Sequence, residues 1–141
     1  MLNQLLTGVA LVAVTVIFQA VFTVTGLRCL EWLEGRRRRV SHHHAIYIIV
    51  FFVFLMFFGI VIDVCIWAVF YYKSGALAQF EEALYFSAST FTTLGYGDIV
   101  PSEGWRLIAS FEAANGLIIF GWSTAFIMAA IQHSYGWHRS K

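Results

Sequence analysis

Charge is scarce in this sequence. Only 12% of its 141 residues are Asp, Glu, Lys or Arg, against roughly 25% in soluble chains. A chain this poor in polar groups cannot cover its own surface with them, which excludes an ordinary water-soluble domain and makes the bilayer its natural solvent. A single proline and 14 phenylalanines point the same way. The two cysteines, Cys29 and Cys65, are far apart and form neither a disulfide framework nor a metal motif; they read as free thiols. No nucleophile stands beside a matched base, so an enzyme is not expected. A haem-binding bundle would want histidines inside the apolar runs, and there are none.

What is present is three long apolar stretches. The first runs from about Leu5 to Leu27 with no charge before Arg28. At about 1.5 Å per residue it is long enough to cross a hydrocarbon core of about 30 Å. No Lys or Arg precedes it, and its length exceeds that of a signal peptide. The second stretch, Ala45 to about Tyr72, is interrupted only by Asp63. The third runs from Trp105 to about Gln132. Between the last two lies a segment from about Gln79 to Thr92, too short and too polar to span. It opens with Glu81 and Glu82, acids suited to the positive end of a helix. The fold class expected is an all-α membrane protein: three transmembrane helices, with a re-entrant short helix and loop between the second and third. Residues 1–44 would form an N-terminal helix and basic loop, and residues 45–141 a second unit of helix, short helix, loop and last helix.

The net charge of +1 says little, but its placement says more. Residues 28–44 hold five arginines, including the run Arg36, Arg37, Arg38 and Arg39, and the C-terminal tail holds Arg139 and Lys141. By the positive-inside rule both lie in the cytoplasm. The arginine run is simplest as a topology determinant that contacts anionic lipids. A voltage sensor needs charges spaced along a membrane helix, and these four are consecutive in a loop. The neighbouring His42, His43 and His44 read as interfacial decoration, with metal binding or acid sensing as the alternative.

The chemistry is concentrated in Thr92-Thr93-Leu94-Gly95-Tyr96-Gly97-Asp98. Non-helical backbone at membrane depth is tolerated only inside protein or along a watery path. Glycines there let the chain take positive φ and turn successive carbonyls to one side. This segment resembles the filter signature of potassium channels of the two-transmembrane, pore-loop type, which most often reads Thr-Val-Gly-Tyr-Gly-Asp at its core. An aromatic-rich short helix (Tyr85, Phe86, Phe91) precedes it and Pro101 follows it, so the resemblance covers roughly residues 45 to 132. It implies K⁺-coordinating carbonyls on Thr93, Leu94, Gly95 and Tyr96, with the Thr93 hydroxyl innermost and Gly97 completing the strand. It also implies filter support from Thr92, Asp98 and Glu112. The sequence departs from the pattern at Leu94, where valine is commonest, and at Ser89, where some relatives carry an acid. One chain supplies one filter strand and a cage needs four, so a homotetramer is implied.

Other positions leave alternatives open. Glu112 and Asn115 share a face of the last helix, where Glu112 either accepts hydrogen bonds behind the filter or lines the path. Gly116 and Gly121 are candidate hinges or sites of close helix packing. Ile118, Ala125 and Ala129 share a face that would suit a cavity lining. Asp63 is expected to pair with a short-helix group or sit at the outer interface, with proton sensing as the alternative. The expected function is passive, K⁺-selective conduction, with K⁺ as the transported ion and no cofactor, in a plasma membrane of bacterial inner-membrane type. A weakly selective cation channel and a non-conducting accessory protein are the rivals.

Overall fold

An apolar run in lipid must satisfy every backbone N–H and C=O internally, and the helix does so within one segment. The computed structural model describes residues 1–34 and 42–134 and is helical throughout its long segments. Four helices follow in order: α1 (Leu2–Glu34), α2 (His42–Lys73), α3 (Phe80–Phe91) and α4 (Arg106–Ser134), with a 3-10 turn at Glu103–Trp105. Three helical stretches are long and apolar enough to cross a membrane: Leu2–Arg28, Ile49–Lys73 and Glu103–Ala129. The helices outrun the apolar stretches into polar sequence at Glu34, His42 and Ser134, since backbone pairing continues past the hydrocarbon. Arg36 to Arg39 lie outside the described residues.

Buried contacts set the directions of the spans. Gln4 at the start of α1 donates to the carbonyl of Gly104, just before α4. Asn115 of α4 bonds Thr15 of α1, so these two helices run in parallel. α2 runs antiparallel to both, with Gln19 against Met56 and Phe52 edge-on to Phe126 at 5.2 Å. The N-terminus and residues 74–105 therefore share one end of the bundle. The end of α1, the start of α2 and the end of α4 share the other.

The faces that pack follow membrane rules rather than soluble ones. The buried positions of α1 are Gly8, Thr15, Gln19, Thr23 and Gly26, all small or polar, while Leu6, Val9, Ile17 and Val21 are exposed. Lipid tails already solvate leucine, so association is driven by close packing and interhelical hydrogen bonds. On α2 the buried face is Phe52, Met56, Gly59, Asp63, Trp67 and Tyr71, a helical period of three to four. Tyr71 meets Phe86 of α3 edge-on at 5.1 Å. Gly75, in the left-handed region at φ 73, lets the chain leave α2 toward α3.

Candidate functional site

The carbonyl end of α3 runs straight into the loop of interest. Thr92 N–H donates to Ala88 O at 3.2 Å and Thr93 N–H to Thr90 O at 2.9 Å. The Ser89 carbonyl then takes two amides at once, from Leu94 (2.8 Å) and Gly95 (3.0 Å). The inner half of the loop is thereby pinned to the last turn of α3.

Beyond that point the backbone alternates. Thr93, Gly95 and Gly97 have φ of 60, 55 and 77, every second residue in the left-handed region. Thr93 is the only non-glycine among the described residues with positive φ. For a β-branched residue this is a true outlier, costing on the order of 1–3 kcal/mol, and such strain persists where the surroundings enforce it. Among the described residues no protein donor takes the carbonyls of Thr93, Leu94, Gly95, Tyr96 or Gly97. The side chains of Leu94 (57% exposed) and Tyr96 (66%) lie open on a single chain. A row of unpaired carbonyls is a set of cation ligands in waiting.

The supports are partly those expected. Thr92 is held by its own helix, its hydroxyl donating to Ala88 O at 2.8 Å. Asp98 accepts a hydrogen bond from the Tyr85 hydroxyl at 2.9 Å. That bond is the main cause pushing the Tyr85 phenol above its usual value, so the phenol keeps its proton past the ordinary tyrosine range of about 10. With the folded value raised, the contact persists at neutral pH and is lost only as pH climbs through that raised value. Ser89, where an acid stands in some relatives, turns its hydroxyl to Phe86 O (3.0 Å), leaving Tyr85 to hold Asp98. If the loop conducts ions as the sequence leads one to expect, Tyr85→Phe would shorten open dwell times several-fold without changing unitary current, read in single-channel records.

Glu112 is fully buried and faces α3, where the Ser87 hydroxyl lies 2.5 Å from Glu112 Oε1 and 2.9 Å from Val64 O. The Ser87 hydroxyl thus has an acceptor within reach on both α4 and α2. The exposed face of α4 carries Leu117, Ile118, Gly121, Ala125 and Ala129, on the opposite side of the helix from Glu112. Glu112→Gln keeps an acceptor oxygen and is expected to leave unitary conductance unchanged, whereas loss of a path-lining charge would alter it.

The two candidate hinges differ. A Cβ on Gly116 would lie 1.9 Å from the Phe91 carbonyl oxygen, while one on Gly121 meets nothing within 4 Å. Gly116 is thus a point of helix contact, and α4 continues through both without a break. Asp63 is fully buried and neither carboxyl oxygen meets a protein donor among the described residues. The expected pairing with a short-helix group is not made.

Tyr85, Ser87 and Thr15 make contacts around the loop and last helix that the sequence pattern did not single out. Tyr85 was visible only as part of an aromatic helix, and its partner is 13 residues away. That contact exists only because the loop folds back along α3.

A family model described as "Ion channel" matches residues 50–133, which spans α2 beyond its first turns, α3, the loop and nearly all of α4. The chain belongs to the ion-channel family. Within that family it has the two-helix pore module of potassium channels. A stretch of 55 residues of this channel is 33% identical to "Uncharacterized membrane protein YdjJ" of Bacillus subtilis (strain 168), covering 38% of this chain and 16% of that protein. No solved structure matches. The channel is therefore a multi-pass membrane protein whose loop lies within the part that defines its family.

Proposed function

We propose that this protein is a subunit of a homotetrameric, K⁺-selective channel that conducts passively. The observation that carries the reading is the alternation of left-handed φ at Thr93, Gly95 and Gly97, which leaves five successive carbonyls unpaired at the end of α3. Four such strands around an axis make stacked oxygen cages, which replace the water shell of K⁺ as it passes. Thr93, Leu94, Gly95 and Tyr96 supply the carbonyls, and the exposed acid Asp98 draws cations to the mouth. The uncovered face of α4, with Leu117, Ile118, Gly121, Ala125 and Ala129 exposed, supports assembly of several copies along it.

The arginine-bearing end of the bundle is read as cytoplasmic, with the N-terminus and the loop outside and the host a plasma membrane. Contact of Arg36 to Arg39 with anionic lipids belongs to the same reading, although these residues lie outside those described. Leu94 favours a second reading, a weakly selective cation channel, because its bulk replaces the usual valine behind the cages. The reversal potential of purified protein in a bilayer under a K⁺/Na⁺ gradient separates them. Reversal near the K⁺ equilibrium value, with Ba²⁺ block, is expected. Reversal near zero would mean a non-selective pore, and absence of current would sink conduction itself.

A further inference from the structure

The family match begins at residue 50, so nothing in it accounts for α1, which ends at Glu34. Yet α1 is not loosely appended. Thr15 and Asn115 are both fully buried, and Asn115 Nδ2 donates to Thr15 Oγ1 at 2.7 Å. The Thr15 hydroxyl proton is directed back along its own helix, to Leu11 O or Val12 O, each at 3.0 Å. Its free lone pair is thereby held toward α4, a pre-oriented acceptor with no bulk water to compete. Other contacts hold α1 against both α4 and α2. Gly8 abuts the Phe111 ring, and Gln19 lies on Met56 and Gly59.

The bond lands at a sensitive level of α4. Within five residues, Glu112 meets Ser87 of α3, Asn115 meets Thr15, and Gly116 abuts the carbonyl of Phe91. Phe91 is the residue immediately before Thr92, where the loop begins. We infer that Thr15 and Asn115 are positioning residues for ion passage, through which α1 fixes the stretch of α4 that backs the base of the filter. Any slide or tilt of α4 at this level strands the Asn115 amide in an apolar interior and moves the surface against which the Phe91 carbonyl rests. The inference rests on the conduction proposed above.

Single-channel recording of wild type, Thr15→Val and Thr15→Ser tests it. Valine matches threonine in shape but offers no acceptor, and serine keeps the acceptor with less volume. The open probability of Thr15→Val should differ from wild type by about three- to twenty-fold, the range of one side-chain hydrogen bond in a membrane. Unitary conductance and reversal potential should stay unchanged, and Thr15→Ser should gate like wild type. Wild-type gating in Thr15→Val overturns the inference, as does an equal change in both variants, which would report packing. A changed unitary conductance in Thr15→Val overturns it too. If Thr15→Val does not assemble, the exchange Thr15→Asn with Asn115→Thr restores a donor–acceptor pair; unrecovered gating there counts against the role. A silent wild type sinks the conduction reading itself, and this inference with it.

Discussion

Gly116→Ala is expected to abolish assembly of the channel. The added Cβ would lie 1.9 Å from Phe91 O, 2.8 Å from its carbonyl carbon and 3.3 Å from its Cα. All three atoms are backbone at the end of α3, so no flexible side chain can swing aside. Overpacking of a well-filled interior costs about 1–3 kcal/mol and sometimes more. Here the relief available is separation of α3 from α4, which would also release the contact between Ser87 and Glu112. We expect little folded protein, a thermal transition lowered well below that of wild type in detergent, and no macroscopic current. Gly121→Ala is the informative contrast. Within one chain nothing lies within 4 Å of its Cβ, and alanine is the better helix former by about 1 kcal/mol. Any loss of stability there reports contact between subunits. If Gly116→Ala behaves as wild type, the close approach of α4 to α3 is wrong.

On the proposed function, Gly95→Ala should eliminate K⁺ selectivity for a different reason. Space is not the obstacle, since no atom lies within 4 Å of a Cβ at this position. The obstacle is φ, which is 55, where an L side chain pays roughly 1–2 kcal/mol. Alanine is driven toward negative φ, which swings the adjoining peptide and takes its carbonyl off the common side. In the proposed tetramer four subunits contribute to each cage, so the strain would be felt four times at one level of the path. K⁺ current is expected to fall at least about tenfold, and the reversal potential to move from the K⁺ equilibrium value toward zero. Unchanged current and reversal in Gly95→Ala would remove carbonyl alignment as the basis of conduction.

Much of this was legible in the amino-acid order, and the reason is physical. Lipid permits very few backbone solutions, so a 27-residue apolar stretch such as Leu2–Arg28 announces a helix by length and composition alone. The short helix was equally legible, since Glu81 and Glu82 do lie in its first turn. The glycines after it foretold positive φ at Gly95 and Gly97, because glycine takes that region without a Cβ penalty, whereas the positive φ of Thr93 is enforced by its surroundings. These are local or near-local facts, decided by what each segment can do in its solvent.

What the sequence did not determine was which buried polar groups would meet. Thr15 and Asn115 are 100 positions apart, and Ser87 and Glu112 are 25 apart. Helix rotation and register decide both pairs, and neither has a sequence signature, because the exposed faces of α1 and α2 are as apolar as a soluble core. Gly116 and Gly121 look alike as letters in a membrane helix. Only the approach of the Phe91 carbonyl makes the first indispensable while the second stays open. The same holds for Asp63, which among the described residues is buried without the short-helix partner expected of it. Sequence determined that there would be three spans and one carbonyl-lined loop. Tertiary packing alone decided what holds that loop in place, because helices in lipid are matched by shape and by a few hydrogen bonds rather than by hydrophobic pattern.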